Sequence, residues 1–330
     1  MRKLRVWIGL AGSVLFLYLA FRGQDLGTIW AALKRANYWY ILPAVAIYFG
    51  GVWIRSLRWA FLLRPVQRFR ARELFRVVVI GYTANNVLPL RTGELVRAYV
   101  LSARSRVRSA SALATIAVER IFDGMTMLGF VLIASLSIGL TSQVREIAVV
   151  GGLLFGTILV ALVVLSSGRT RAWTIRVAVK RLPERVGGPL ERATHAFLDG
   201  LGVLRSREDL ILVCLTSIAA WMLEASVYAL ISIGFGLGLN PAGVLLVTAV
   251  ANLATLVPSS PGYIGAFEAG VVLALTGAIG IQHDLALSYA IAVHAALYFP
   301  ITLIGLYFWG RESLSWRDMR GRLTTEEAAD

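Results

Sequence analysis

Apolar residues run almost unbroken through six stretches of the chain, at about 4 to 21, 40 to 63, 109 to 140, 147 to 167, 209 to 235 and 285 to 309. A bilayer-crossing helix needs roughly 20 such residues, so each stretch is expected to be a membrane span. Two further stretches, 77 to 101 and 244 to 281, are apolar enough to enter a membrane but are interrupted by Pro, Gly and polar residues. The expected fold is an all-α polytopic integral membrane protein. It has about six full spans plus two broken re-entrant helical hairpins, in one transmembrane domain over 1 to 330. Composition agrees, with 57% hydrophobic and only 16% charged residues, and excludes a soluble class.

Charge changes the picture next. The net +14 is an excess that nucleic-acid binders also carry, but no basic face with interleaved aromatics is present, so no nucleic-acid partner is expected. Lys and Arg gather instead in short loops. Assigning 1 to 5, 64 to 76, 102 to 108, 168 to 208 and 310 to 330 to the cytoplasm collects 24 of the 33. Both termini are then cytoplasmic in a multi-pass protein of the cell (inner or plasma) membrane. Tyr18 stands where a signal-peptide cleavage site wants a small residue, so the first span is expected to remain uncleaved. The expected layout runs from a first span and outer interfacial helix (1 to 39) to a first repeat (40 to 140). A linking span with a basic loop (141 to 208), a second repeat (209 to 309) and a cytoplasmic tail (310 to 330) follow.

By this count both flanks of 77 to 101 are cytoplasmic and both flanks of 244 to 281 are external. Broken helices at membrane depth need protein or a water-filled cavity around them, because an unsatisfied backbone group in hydrocarbon costs several kcal/mol. The breaks fall at Pro89 and Gly93 in "NNVLPLRTGELVRAY", and at Pro258, Pro261, Gly262 and Gly265 in "ANLATLVPSSPGYIGAFEAG". Pro89 to Gly93 and Pro258 to Gly262 have the same spacing, 169 residues apart. The same offset relates the span at 40 to 63 to that at 209 to 235. Each half therefore reads span, re-entrant element, span, with opposite entry sides. This is the inverted-repeat layout that builds a site near the bilayer midplane.

Intramembrane polar residues are the candidate substrate ligands: Asn85, Arg91, Glu94, Arg97, Glu119, Arg120, Asp123, Glu224, Asn252 and Glu268. Glu119 and Asp123 share a helix face, with Arg120 about 100° away. Glu224 corresponds to Arg55 at the 169-residue offset. Guanidinium groups at Arg91 and Arg97 suit bidentate phosphate contacts, as do free N–H groups where the helix restarts at Gly93. Two readings stand for the set: substrate contacts, or ion pairs that lock helices together. Arg58, near its helix end, is expected to snorkel toward the headgroups.

Catalytic and metal-binding patterns are thin. None of His195, His283 and His294 stands at metal-ligand spacing with another His or Cys, no phosphate loop of the G-x-x-x-x-G-K-[ST] kind occurs, and Cys214 is alone. No catalytic residue, metal or cofactor is expected, and His294 reads as a hydrogen-bonded interior residue. The stretch 25 to 40 places Leu26, Ile29, Trp30 and Leu33 on one helix face. In 190 to 204, Leu190, Ala193, Phe197, Leu201 and Leu204 do the same beside a basic loop. Both read as interfacial helices or as packing helices, the second facing anionic lipid headgroups at the cytoplasmic side.

In this order and spacing "NNVLPLRTGELVRAYVL", "VERIFDG" and "PSSPGYIGAFEAG" resemble the transmembrane domain of the lysylphosphatidylglycerol synthase/flippase family, over about residues 5 to 310. That family includes stand-alone membrane proteins and archaeal dolichol-glycan proteins. The resemblance implies a domain that moves an aminoacylated phospholipid or related amphiphile between leaflets. The chain ends at Asp330 without the soluble aminoacyl-transferase domain of the full-length synthases, so it is not expected to make lysylphosphatidylglycerol itself. A flippase is the leading expectation, with a membrane lipid as partner and a homodimer as its assembly. The alternatives are a membrane-embedded glycosyl- or acyl-transferase acting on a polyprenyl or lipid carrier, and a non-transporting partner of a lipid-synthesis enzyme.

Overall fold

The computed structural model describes residues 26–88, 92–138, 142–166, 184–257 and 259–311. The expected first span at 4 to 21, nearly all of the tail, and Pro89, Arg91 and Pro258 lie outside the described residues. Among the described residues all regular structure is helical.

Helix α1 (Leu26–Arg35) leads through a 3-10 turn at Tyr38–Tyr40 into α2 (Ile41–Leu63). The first interrupted stretch folds as α3 (Ala71–Val87) and α4 (Gly93–Ser102). Next come α5 (Ser109–Ser135), α6 (Ser142–Ser166), α7 (Glu184–Gly200) and α8 (Arg207–Gly234). The second interrupted stretch folds as α9 (Pro241–Ala254), a 3-10 turn at Pro261–Tyr263, and α10 (Ala266–Val272). The last widens into a π-helical stretch, Leu273–Ile279. Helix α11 (His283–Arg311) closes the series. Polar side chains set several starts: Ser206 accepts from the Asp209 N–H, and Asn240 accepts from the Gly243 N–H just ahead of Pro241.

Among the described residues, four stretches are long and apolar enough to cross a membrane: Tyr38–Leu63, Arg207–Gly234, Pro261–Ile279 and His283–Arg311. The third of these is half of what the sequence pattern marks as a re-entrant element. Helix α5, about 40 Å long, has the length to span but carries Glu119, Arg120 and Asp123 near its middle. Large apolar side chains such as Leu132, Val150, Leu153, Leu215, Phe299 and Leu303 face outward. An outer surface of that kind suits lipid rather than water.

Helices α2 and α8 pack together at the centre, and the packing around them repeats. Helix α3 lies against α11 as α9 lies against α5. Helix α4 sits on α3 and α5 as α10 sits on α9 and α11. Both amphipathic stretches pack one face against the helical body. Helix α1 buries Ile29 against α11, where Ser288 donates to the Ile29 carbonyl. Helix α7 and the turn after it bury Ala196, Leu198, Leu201 and Leu204, and Ser111 of α5 donates to the Ala196 carbonyl at 2.7 Å.

The expectation for Arg58 is overturned. Its side chain is 0% exposed and bonded to Asp123 and Ser217 rather than reaching for headgroups. The cause is the central place of α2: its last turns are enclosed by α5 and α8, which leaves no lipid-facing side from which to snorkel.

Candidate functional site

A cavity of about 400 Å³ lies inside the helical body, where α2, α3, α5, α8, α9 and α11 converge. Its charged and amide lining consists of Arg55, Asn85, Asn86, Glu94, Arg120, Asp123, Glu224 and Asn252, with His294. Aromatic rings complete it, among them Tyr48, Tyr82, Trp221, Tyr263 and Tyr298.

The first helix break forms one wall. Asn85, near the end of α3, accepts a 2.7 Å hydrogen bond from the Gly93 N–H, so the side chain of one helix satisfies the exposed start of the next. Its amide nitrogen turns to the Glu94 carboxylate at 3.4 Å. The approach depends on Gly93 having no side chain, since a Cβ there would stand 2.2 Å from the Gly81 carbonyl oxygen. Beside it Asn86 donates to Thr302 at 2.7 Å, and Thr83 donates to the Ile301 carbonyl, both next to Pro300 of α11. Polar side chains of α3 thus cover the backbone where α11 has a proline inside it.

Behind the wall lies a buried ion network. Arg97 makes a bidentate contact with Glu119, at 2.9 and 3.1 Å, and stacks over Trp59. Arg58 reaches Asp123 at 2.6 Å and Glu119 at 3.4 Å. Arg120 pairs with Glu119 and, at 3.2 Å, with Asp123, yet its side chain stays 39% exposed. The Trp221 indole N–H donates to Asp123 at 2.7 Å. On the other side of the cavity Arg55 donates to Glu224 at 2.6 Å, with its guanidinium over the Trp221 ring. Each carboxylate of this network is matched by guanidinium, as burial at this depth requires.

The second break forms the facing wall. Gly262 has φ of 73°, and a Cβ on it would stand 2.4 Å from the Tyr298 ring. The next residue, Tyr263, holds φ of 62°, a conformation uncommon outside glycine. Glu268 accepts from the Gly265 N–H at 2.6 Å, satisfying the start of α10. Its other oxygen lies 2.6 Å from His294 Nδ1, while His294 Nε2 lies 2.8 Å from the Gly262 carbonyl oxygen. That carbonyl can only accept, so the Nε2 N–H donates to it, and Nδ1 faces the carboxylate. His294 is the hydrogen-bonded residue the sequence suggests, and it also faces the cavity.

Of the residues picked from the sequence, Asn85, Glu94, Arg120, Asp123, Glu224 and Asn252 meet at the cavity. Arg97 and Glu119 lie behind it, bonded to each other, and Glu268 stands behind His294. Gly93, Pro261, Gly262 and Gly265 fall at helix starts or turns, as expected of breaks. The ligand set drawn from the sequence omits Asn86, Trp221 and the tyrosines, and Arg55 enters it only as the offset counterpart of Glu224. Trp221 had a signal, since it precedes Glu224 by three residues and so shares its helix face. No group of three or more His, Cys, Asp or Glu able to hold a metal occurs among the described residues.

Residues 6–305 match the family described as the lysylphosphatidylglycerol synthase TM region. The chain is 27% identical over 338 residues to the glycosyltransferase AglD of Haloferax volcanii, covering 92% of this chain but 54% of that protein. It therefore spans about half the length of that relative. It is also similar to two UPF0104 membrane proteins of Methanothermobacter thermautotrophicus. One is 26% identical with 90% of each chain covered; the other is 26% identical with 85% of this chain and 87% of the relative covered. With a match over nearly its whole length, and with apolar helices of membrane-crossing length, the chain is a multi-pass membrane protein that belongs to the lysylphosphatidylglycerol synthase TM-region family.

Proposed function

We propose that this protein is a lipid translocase, which moves a phosphate-bearing amphiphile, such as an aminoacylated phospholipid, between the leaflets of the cell membrane. The observation that carries the reading is the cavity: charged groups from both halves of the chain meet, among aromatic and apolar side chains, in one space of a body whose outer surface is apolar. A headgroup enters this space while its acyl chains stay in lipid. Arg120, with Arg55 beside it, receives the phosphate; Glu94, Glu224 and Asp123 offset a cationic moiety. Arg91, outside the described residues, is assigned to the same phosphate path, while the buried Arg97 holds Glu119 behind it.

The two halves act as inverted repeats, with 77 to 101 entering from the cytoplasm, 244 to 281 from outside, and both termini cytoplasmic. Support comes from the repeated packing and from the Arg55–Glu224 bond between positions 169 residues apart. Equivalent positions meet where a two-fold axis passes between repeats.

Reconstitution in liposomes with labelled phospholipid tests the reading. Arg120→Ala keeps Glu119 paired to Arg97 and Asp123 paired to Arg58, so the variant folds. Losing a charge-assisted contact worth about 1.5–3 kcal/mol then slows transbilayer movement by about 10- to 100-fold. Unchanged movement in the folded variant excludes the assignment. A second reading, transfer of a glycosyl group to a lipid carrier, rests on the similarity to the glycosyltransferase AglD. It predicts a covalently altered lipid after incubation with the purified protein and a sugar donor, which mass spectrometry detects; translocation alone leaves the lipid mass unchanged.

A further inference from the structure

Three buried carboxylates around the cavity are each matched by a guanidinium: Glu119 by Arg97, Asp123 by Arg58 and Glu224 by Arg55. Glu268 of α10 is not. Among the described residues it meets the Gly265 N–H at 2.6 Å and His294 Nδ1 at 2.6 Å, with its side chain 8% exposed and that of His294 13%. A carboxylate so enclosed needs a cation or a proton. The one cation within its reach is a side chain whose own charge is set by a proton.

The ring geometry sharpens this. Nε2 donates its proton to the Gly262 carbonyl at 2.8 Å, so a neutral ring turns the lone pair of Nδ1 on a carboxylate oxygen 2.6 Å away. Two acceptors at that distance repel unless a proton lies between them. With the proton the pair is neutral as a whole, whichever partner holds it; without it a net negative charge is left in a nearly closed space. Release therefore drives the two side chains apart, and both hold backbone of the second break, Glu268 at Gly265 and His294 at Gly262. The His294 ring also meets Tyr298 edge to face, and the Tyr298 hydroxyl donates at 3.2 Å to the Asn86 carbonyl beside the first break. Both broken elements thus touch the residue that takes the proton.

We infer that the His294–Glu268 pair is a proton-binding site, and that loading and release of its proton couple the second helix break, and with it translocation, to a proton gradient. His294 lines the cavity, through which the proton exchanges. The ionisable groups facing the pair are Tyr48 and Arg55 of α2, Tyr82 of α3, Glu224 and Tyr228 of α8, and Tyr263 and Tyr298 nearer by. Helices α4 and α5 add Glu94, Arg120 and Asp123 to the same space. Helix α1 brings only Lys34 and Arg35, both exposed, while α9 and the π-helical stretch bring none. Arg55 is bonded to Glu224, and Arg120 to Asp123, so these charges already answer one another. Histidine is the side chain whose charge ordinarily changes near neutral pH. Proton binding stands by itself; the coupling rests on the translocase reading.

Glu268→Gln imitates the proton-loaded pair: its amide oxygen still accepts from the Gly265 N–H, and its amide N–H donates to Nδ1, which keeps His294 neutral. Nitrogen NMR of the histidine-labelled full chain in detergent reads the proton, with the His294 signal assigned by its loss in His294→Gln. The native ring is expected to gain and lose its Nδ1 proton over about pH 5 to 8, while in Glu268→Gln it carries the Nε2 proton alone throughout. A native ring that keeps one protonation state over that range overturns the inference, whatever the transport assay shows. In liposomes with labelled phospholipid, a pH difference of about one unit is a tenfold difference in proton activity, so one-for-one coupling shifts the leaflet ratio of the lipid by up to about tenfold. In Glu268→Gln and His294→Gln the ratio does not respond to the gradient. A titrating native ring with lipid movement indifferent to the gradient overturns the coupling. A titrating ring with no lipid movement at any pH supports the proton site and overturns the translocase reading instead.

Discussion

Glu119 is held by three guanidinium groups, from Arg58, Arg97 and Arg120, and its side chain is 1% exposed. Removing it strands the buried Arg97 guanidinium and leaves Asp123 alone to serve Arg58 and Arg120, whereas removing Arg120 leaves every carboxylate with another partner. Glu119→Ala is therefore expected to cost about 3–5 kcal/mol. Arg120→Ala, at a partly open position, costs about 1 kcal/mol or less. Thermal unfolding in detergent checks the asymmetry; equal midpoints for the two variants would contradict the network. The same residues show where sequence reading stops. The depth of Glu119, Arg120 and Asp123 follows from counting along α5, but their partner Arg58 is 65 residues from Asp123 and looked like a helix-end residue. Only the enclosure of α2 by its neighbours turns it inward.

At the scale of elements, the broken helices depend on glycines at close approaches. Gly93→Ala drives a Cβ to 2.2 Å from the Gly81 carbonyl oxygen, forcing α4 off α3 at an expected cost of about 1–3 kcal/mol. Gly129, in the interior of α5, has nothing within 4 Å of a built Cβ, so Gly129→Ala is expected to be neutral or stabilising by up to about 1 kcal/mol. Thermal midpoints of the two variants should move apart. A Gly93→Ala variant as stable as Gly129→Ala would mean that α3 and α4 do not approach so closely. The positions of most helices were legible from apolar runs, but α3 starts at Ala71, inside the stretch 64 to 76 that the charge count assigns to a loop, because Arg72, Glu73 and Arg76 hide its first turns from an apolar count. Which residues of α1 and α7 pack inward was not legible, because an amphipathic stripe is the same whether it meets lipid or another helix.

Across the whole molecule, the two halves are joined by the α2–α8 pair, with Arg55 and Glu224 bonded at 2.6 Å and nearly buried. Reversing the pair tests whether this contact acts between the halves as a unit. Arg55→Glu and Glu224→Arg each place like charges together and should lower stability by several kcal/mol, while the double variant recovers about 1–3 kcal/mol of the summed loss. A strictly additive double variant would show that the two residues do not interact. The contact was half legible: the 169-residue offset matched the two positions and their opposite charges, but that they touch follows from the packing of α2 against α8.

What the sequence by itself determined is the class, the helices and the places where they break, because these depend on runs of apolar residues and on local backbone chemistry. It also drew six of the cavity's polar residues, since a charge or amide within an apolar run is costly and hence informative. The tertiary structure decided which of those residues face open space. Arg97 and Arg120 are both intramembrane arginines in the sequence. One is shut behind Trp59 and Glu119 and the other is open to the cavity, because pairing and exposure depend on neighbours brought together from distant parts of the chain.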